Sequence, residues 1–282
     1  MDALLAWASD ELAAAGVPSP RSDAALLVGH VLDLGRGEVE AKALIATAVP
    51  GERVAEVVAA VERRARREPL QHILGTAAFR GLSLEVGPGV FVPRPETEIV
   101  AQYAIDALRA RPVAEPRAVD LGSGSGALAI ALATEVPTAR VWAVEKTPET
   151  VPWTRRNVDR YGDGRVRVVV ADLADALTEL EGTVDVVVSN PPYVPERALP
   201  RDPEVRLYDP PEALYSGVDG LDAMRAVAAT AHRLLLPGGT LVVEHGEEQG
   251  AAVRRILTDA GLRAAATHPD LLGRDRATTA AR

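Results

Sequence analysis

With 282 residues, 47% of them hydrophobic and 25% charged, the chain is long enough for one large domain or two ordinary ones and too apolar for global disorder. It has no cysteine, which excludes disulfides, thiolate metal sites and cysteine nucleophiles together. A formal charge of −9 speaks against broad binding of duplex nucleic acid, which relies on Lys and Arg to neutralise phosphates, though it leaves room for one local basic patch.

The five histidines (His30, His72, His232, His245 and His268) are scattered without an H-x-x-x-H pair, which makes a zinc enzyme a poor expectation. The stretch Met1–Asp10 has no basic leader region, and no apolar run approaches a membrane span. A soluble, cytoplasmic protein without a membrane partner is the expectation.

Residues 1–72 read as helical throughout. Leu4, Leu5, Ala8 and Leu12 recur at helical spacing, Asp23 to Leu34 follows with Ser22 as its N-cap, and then Glu38 to Val49 and Glu52 to Arg67, separated by Pro50-Gly51. About four short amphipathic helices make a small bundle. Its last helix ends in Arg63, Arg64, Arg66 and Arg67, either a solvated face suited to a helix C-terminus or a docking surface for an acidic or RNA-associated partner.

Residues 73–95 change character. Phe79–Val86 alternates like a strand, Gly87-Pro88-Gly89 turns, and Val90-Phe91-Val92 returns, which predicts a linking β-hairpin. From 96 to 282 strands and helices alternate. The strands are Ala118–Leu121, Arg140–Glu145, Val166–Ala171, Val184–Val188 and Thr240–Glu244; the helices are Ala127–Glu135, Pro148–Tyr161, Asp219–Leu235 and Glu248–Ala260, with another opening near Glu96. This is the pattern of a parallel, doubly wound α/β sheet. Val194–Gly217 is Pro-rich, acidic and aperiodic; a loop of that length reads as a lid or as disorder.

Two loops carry chemistry. Ser189-Asn190-Pro191-Pro192-Tyr193 ends an apolar strand, where two prolines force the chain off the sheet and hold Asn190 extended at its carboxyl edge. A fixed amide (Asn190), an unpartnered carbonyl (Pro191) and an aromatic face (Tyr193) suit a planar –NH2 group, either an amide or the exocyclic amine of a base. The second loop, Asp120-Leu121-Gly122-Ser123-Gly124-Ser125-Gly126, joins the first strand of the sheet to its helix, where glycines let a ligand approach the backbone. Glu145 ends the next strand, placed for ribose hydroxyls, and Asp172 ends the third, within reach of a base edge. Gly124-Ser125-Gly126-Ala127-Leu128-Ala129 also fits the dinucleotide fingerprint G-x-G-x-x-A, so NAD competes with S-adenosylmethionine; the latter accounts for more of the set.

Nearly end to end, the chain resembles the HemK/PrmC family of protein-(glutamine-N5) methyltransferases acting on class-1 peptide-chain release factors. The resemblance lies in Pro69–Gly75, Val90–Glu98 (Val-Phe-Val-Pro-Arg-Pro-Glu-Thr-Glu), Asp120–Gly126, Asn190–Tyr193, Ser216–Leu221 and Gly273–Arg276. It implies a Rossmann-like class I methyltransferase sheet of about seven strands, the last antiparallel, behind a small helical domain that holds the release factor. S-adenosylmethionine would be the cofactor, bound by Asp120, Gly122, Ser123, Gly124, Ser125, Gly126, Glu145, Asp172, Leu173 and Asn190. The substrate glutamine would sit among Asn190, Pro191, Pro192, Tyr193, Phe91 and Arg94, with Asn190, Pro191 and Tyr193 catalytic and no direct nucleic-acid partner. Glu145 stands where the family commonly has Asp, and Leu173 where an aromatic residue often covers the adenine. A ribosomal-protein glutamine methyltransferase and an adenine-N6 nucleic-acid methyltransferase share the core and stay open as alternatives. Glu244 and Arg276 lie near the sheet edge or tail, where a salt-bridge or surface role fits as well as a site role.

Overall fold

The computed structural model describes residues 1–282, which form two compact units. The first comprises Met1–Thr76 with Pro200–Tyr208, the second Ala77–Leu199 with Asp209–Arg282.

The first unit starts with five helices: α1 (Asp2–Ala14), α2 (Pro20–Leu32), α3 (Arg36–Leu44), α4 (Gly51–Ala65) and α5 (Leu70–Leu74). Leu5, Leu12, Leu27, Val28, Val39 and Val57 fill their common core. The second helix begins earlier than the sequence predicts. Ser19, not Ser22, holds the cap position, because Pro20 brings a preset φ suited to the first helical residue.

The second unit opens with a hairpin of β1 (Thr76–Phe79) and β2 (Leu82–Glu85). Its turn is Arg80-Gly81, and the expected return strand Val90-Phe91-Val92 is not a strand. Arg80 and Gly81 both adopt positive φ (45° and 76°), the left-handed pair that a two-residue turn requires, so they close the hairpin before Gly87-Pro88-Gly89 is reached. Val86, Val90 and Val92 instead pack with Ala77 and Trp153.

The sheet then unfolds along the chain as α6 (Thr97–Arg109), β3 (Arg117–Leu121), α7 (Ala127–Glu135), β4 (Arg140–Glu145), α8 (Val151–Tyr161), β5 (Val166–Val170) and β6 (Val184–Ser189). After β6 come α9 (Pro203–Tyr208), α10 (Pro211–Leu214), α11 (Asp222–Leu234), β7 (Leu235–Glu244), α12 (Gly250–Asp259), β8 (Arg263–Pro269) and β9 (Asp275–Ala281). Seven strands pair in the order β5-β4-β3-β6-β7-β9-β8, with β9 antiparallel to both of its neighbours. The order reverses between β3 and β6, the switch point at whose carboxyl edge open α/β sheets bind ligands. One face of the sheet packs on α6 to α8 and the other on α11 and α12. In α7 every residue from Ala127 to Ala133 is buried, and its alanines let the helix lie close on the strands.

The long stretch after β6 is no free lid. Val194 pairs with Tyr215, and hydrogen bonds Val194 N–H to Leu214 O (2.8 Å) and Glu196 N–H to Gly217 O (3.0 Å) tie its two ends together. Its middle, α9, belongs to the first unit, where Glu204 takes hydrogen bonds from Arg64 (2.8 Å) and Arg67 (2.8 and 2.7 Å). Arg64 also bonds Asp23 at 2.8 Å and Arg63 pairs with Glu68, so three of the four terminal arginines of α4 are engaged internally. Neither a bare solvated face nor a free basic surface describes them. No helix is long and apolar enough to cross a membrane.

Candidate active site

Strands β3 and β6 deliver the two sequence-predicted loops side by side. Asp120 is in register with Val188, and Ser189 Oγ donates to the Leu121 carbonyl at 2.6 Å, one residue short of each loop. Paired strands lie about 4.8 Å apart, so the glycine loop and the Asn-Pro-Pro-Tyr loop leave the sheet as neighbours.

The glycine loop is braced from within. The N–H groups of Gly122 and Ser123 both donate to Val144 O (2.9 Å each), and that of Gly124 to Glu145 Oε2 (2.9 Å). Glu145 Oε1 accepts from Thr147 N–H at 2.8 Å. A carboxylate accepts about four hydrogen bonds, so Glu145 supports the loop and keeps capacity for a hydroxyl. From α8, Thr154 Oγ1 donates to Gly124 O (2.6 Å) and Asn157 Nδ2 to Ser125 O (2.9 Å). Neither α8 residue is legible as part of this site from the sequence, where both read as ordinary helix positions.

The loop's open features face outward from that brace. Gly122 and Gly124 have φ of 76° and 55°, and a Cβ on either would meet nothing within 4 Å. Asp120 is fully buried; its Oδ2 accepts from Ala129 N–H at 3.0 Å, and its Oδ1 has no partner. Burial pushes its carboxyl up to about 7, with Ala129 N–H pulling down and Glu145 adding repulsion. An orphaned buried oxygen beneath a glycine cradle fits a ligand that brings a cationic or N–H donor. Asp172 is exposed and paired with Lys146 at 3.1 Å, and Ala174 N–H and Lys146 hold its carboxyl below the usual range. Leu173, next to it, packs partly against the core.

In the second loop Asn190 Nδ2 donates to Thr97 Oγ1 at 3.3 Å, which leaves Oδ1 free of any protein donor. The Pro191 carbonyl takes no part in a backbone hydrogen bond. Tyr193 is fixed at both ends: Gln249 Nε2 donates to its carbonyl (3.0 Å) and its hydroxyl reaches Glu244 Oε1 (3.4 Å). Burial, then Glu244, push the Tyr193 hydroxyl well above its ordinary range, so it stays protonated. Gly220 is obligatory behind it, since a Cβ there would stand 2.5 Å from Tyr193 O.

Phe91 and Arg94 form a separate group. The Arg94 guanidinium lies 4.9 Å over the Phe91 ring and pairs with Asp209 at 2.6 Å. Thr97 and Glu244 join the Asn190 group, although the sequence marks Thr97 only as part of a helix start and leaves Glu244 undecided.

A doubly wound sheet with a reversed last strand, a glycine loop over a buried Asp and a neighbouring Asn-Pro-Pro-Tyr loop define a Rossmann-like methyltransferase. Residues 3–75 match the PrmC N-terminal domain and residues 82–206 the methyltransferase small domain. The release factor glutamine methyltransferase of Streptomyces coelicolor is 52% identical over 98% of this chain and 96% of its own. A 4-amino-L-phenylalanine/4-methylamino-L-phenylalanine methyltransferase of Streptomyces pristinaespiralis is 40% identical over 90% of this chain and 86% of its own. Among solved structures, a methyltransferase from Pyrococcus furiosus shares the fold at a TM-score of 0.51, with 21% identity over 78% of this chain and 97% of its own. The chain belongs to the release factor glutamine methyltransferase family.

Proposed function

We propose that the protein transfers the methyl group of S-adenosylmethionine to the side-chain amide nitrogen (N5) of the glutamine in the Gly-Gly-Gln motif of a class-1 peptide-chain release factor. The reading rests above all on the adjacency of the two loops: a cradle for a cofactor and a clip for a planar –NH2 group leave paired strands at the switch point. The curated relatives support it, since a release factor's glutamine and an aminophenylalanine both present an –NH2 attached to an sp2 carbon. The helical first unit, matched by the PrmC N-terminal domain, favours the release factor as substrate and serves as its docking domain.

When bound, S-adenosylmethionine supplies an electrophilic methyl carbon on a sulfonium centre. Asp120, with its unpartnered Oδ1, and the loop Gly122–Gly126 would hold the cofactor's amino-acid end. Glu145 would hold the ribose, and Asp172 and Leu173 the adenine side. An amide nitrogen is a poor nucleophile because its lone pair is delocalised into the carbonyl. Asn190 Oδ1 and the Pro191 carbonyl accept its two hydrogens and so aim the lone pair, while Pro192 and Tyr193 wall the slot; Phe91 and Arg94 belong to its approach. Orientation of this kind contributes on the order of several kcal/mol. No base would be needed beforehand: the N–C bond would form as the S–CH3 bond breaks and S-adenosylhomocysteine leaves, and the nitrogen, then cationic, would give its proton to solvent.

A labelled-methyl assay tests the reading, with release factor, a ribosomal protein, 4-aminophenylalanine, DNA and RNA offered in parallel. Label should enter the release factor and vanish when its Gly-Gly-Gln glutamine is replaced by Glu. Label entering any other substrate at a higher kcat/KM would overturn it.

A further inference from the structure

The stretch Pro93-Arg94-Pro95 has a stiff backbone, since both prolines fix their own φ and Pro95 holds Arg94 extended. The arginine side chain is the opposite, with many rotamers to lose before it can serve as a fixed contact. Two neighbours remove that freedom. The guanidinium lies 4.9 Å over the Phe91 ring, and Asp209 Oδ2 accepts from its Nη2 at 2.6 Å. Hydrogen bonds also tie the Arg94 backbone to the Asn190 clip: Thr97 N–H donates to the Arg94 carbonyl at 3.1 Å, and Thr97 Oγ1 receives Asn190 Nδ2 at 3.3 Å.

Two features separate this ion pair from a structural one. Arg80, in the same unit, spends its donors on Glu135, Gln102 and the Glu98 carbonyl. Arg94 spends one N–H on Asp209 and meets no other protein acceptor, and its side chain is 24% exposed. A guanidinium is a fork of several N–H groups, so those not facing Asp209 stay available. Asp209, for its part, has a wholly buried side chain whose Oδ1 has no partner. Burial pushes its carboxyl up to about 6 against the pull of Arg94, so it is ionised at neutral pH. A carboxyl raised on folding weakens the fold at pH values above its raised pKa. A charge kept where it weakens the fold, beside an arginine with donors to spare, answers to the site rather than to the core.

Glycines around a target glutamine offer no side chains to recognise; besides the glutamine itself, such a loop presents backbone carbonyls. We infer that Asp209 is the positioning residue that pins the Arg94 guanidinium against Phe91 beside the Asn190 clip, so that its remaining N–H groups receive backbone carbonyls of the glycine-flanked substrate loop. This rests on the substrate proposed above and adds a residue outside both loops that prepares the site for it. An arginine ordered beforehand loses little freedom when the substrate arrives, so the benefit belongs to substrate affinity.

The test uses the full chain, a release factor as substrate, and the variants Asp209→Asn, Asp209→Ala, Arg94→Ala and Asp209→Ala combined with Arg94→Ala. Arg94→Ala should raise KM for the release factor about tenfold and Asp209→Ala about fivefold. In both, kcat should stay within about threefold and cofactor affinity, by calorimetry, within about twofold. The combined variant should match Arg94→Ala in KM within about twofold, because a residue that acts through Arg94 then has nothing left to hold. Asp209→Asn keeps the shape and one acceptor but not the buried charge. It should raise KM about threefold with Tm at or above the parent's, a pairing that a merely structural role would not give. Parental KM in both Asp209 variants, or an equal penalty from Asp209→Ala with and without Arg94, overturns the positioning role. Should Asp209→Ala fold poorly, Asp209→Asn decides: raised KM with an undiminished Tm supports the role, and parental KM overturns it. A parent that leaves the release factor unlabelled overturns the underlying reading of the substrate instead.

Discussion

The two loops at the switch point solve opposite problems with opposite residues. The glycine loop must bring backbone close to a ligand, so it adopts positive φ at Gly122, Gly124 and Gly126 and is held by hydrogen bonds from behind. The Asn-Pro-Pro-Tyr loop must hold a side chain still, so prolines stiffen it and Thr97 and Gln249 brace it from the side. Each has a buried carboxylate with a raised pKa, Asp120 beneath the first and Glu244 beside the second. One loop binds through what it lacks, the other through what it fixes.

If that contrast is right, damage to the two loops should be separable. The largest effect is expected for Asn190→Ala: kcat lower by roughly 100- to 1,000-fold, the scale seen when one preorganised polar contact is removed from an active site, with cofactor affinity nearly unchanged. Parallel single-turnover assays and calorimetry measure both, and turnover within a few-fold of the parent would contradict a gripping amide. Gly124→Val should do the reverse. A β-branched side chain at a φ of 55° is strained, and it would fill the space the loop keeps open, so cofactor affinity should drop about 100-fold or more. An unchanged Kd would remove Gly124 from the binding site.

The smallest effect sharpens the role of Asp120. Its carboxyl is ionised only above about 7, and a protonated carboxyl accepts a cationic amino group poorly. Cofactor affinity should therefore weaken as pH falls below that value, by up to about tenfold per unit, and Asp120→Asn should flatten the dependence. Calorimetric titration between pH 6 and about 8 covers the window. A flat parental profile would show that the cofactor does not meet this carboxylate.

Much of this site is legible in the sequence because its two loops are contiguous and each breaks a strand in a distinctive way. Gly122–Gly126 and Asn190–Tyr193 announce themselves by glycines and prolines where an apolar run stops, and Glu145 by its place at the end of the next strand. The hydrogen bonds of Thr97 with Asn190 and of Glu244 with Tyr193 are not legible in that way. They join elements distant along the chain, and Thr97 reads locally as a helix start. One signal for Glu244 was present: an acid that closes an otherwise apolar strand at the ligand edge of the sheet is rarely idle. The sequence misplaces the hairpin because Gly87-Pro88-Gly89 is the stronger turn signal by composition, while the Arg80-Gly81 turn depends on a non-glycine residue at positive φ. The final strands, Arg263–Pro269 and Asp275–Ala281, escape a residue-by-residue reading because runs of Ala and Thr carry little alternation.

The return of Pro200–Tyr208 to the first unit has a bearing on how such proteins can be recombined. The polypeptide passes from one unit to the other three times, so a chimera spliced only after residue 76 would inherit arginines from one parent and their acidic counterpart, Glu204, from the other. Exchanging the helical unit between relatives calls for two grafts made together, the amino-terminal segment and the nine-residue detour.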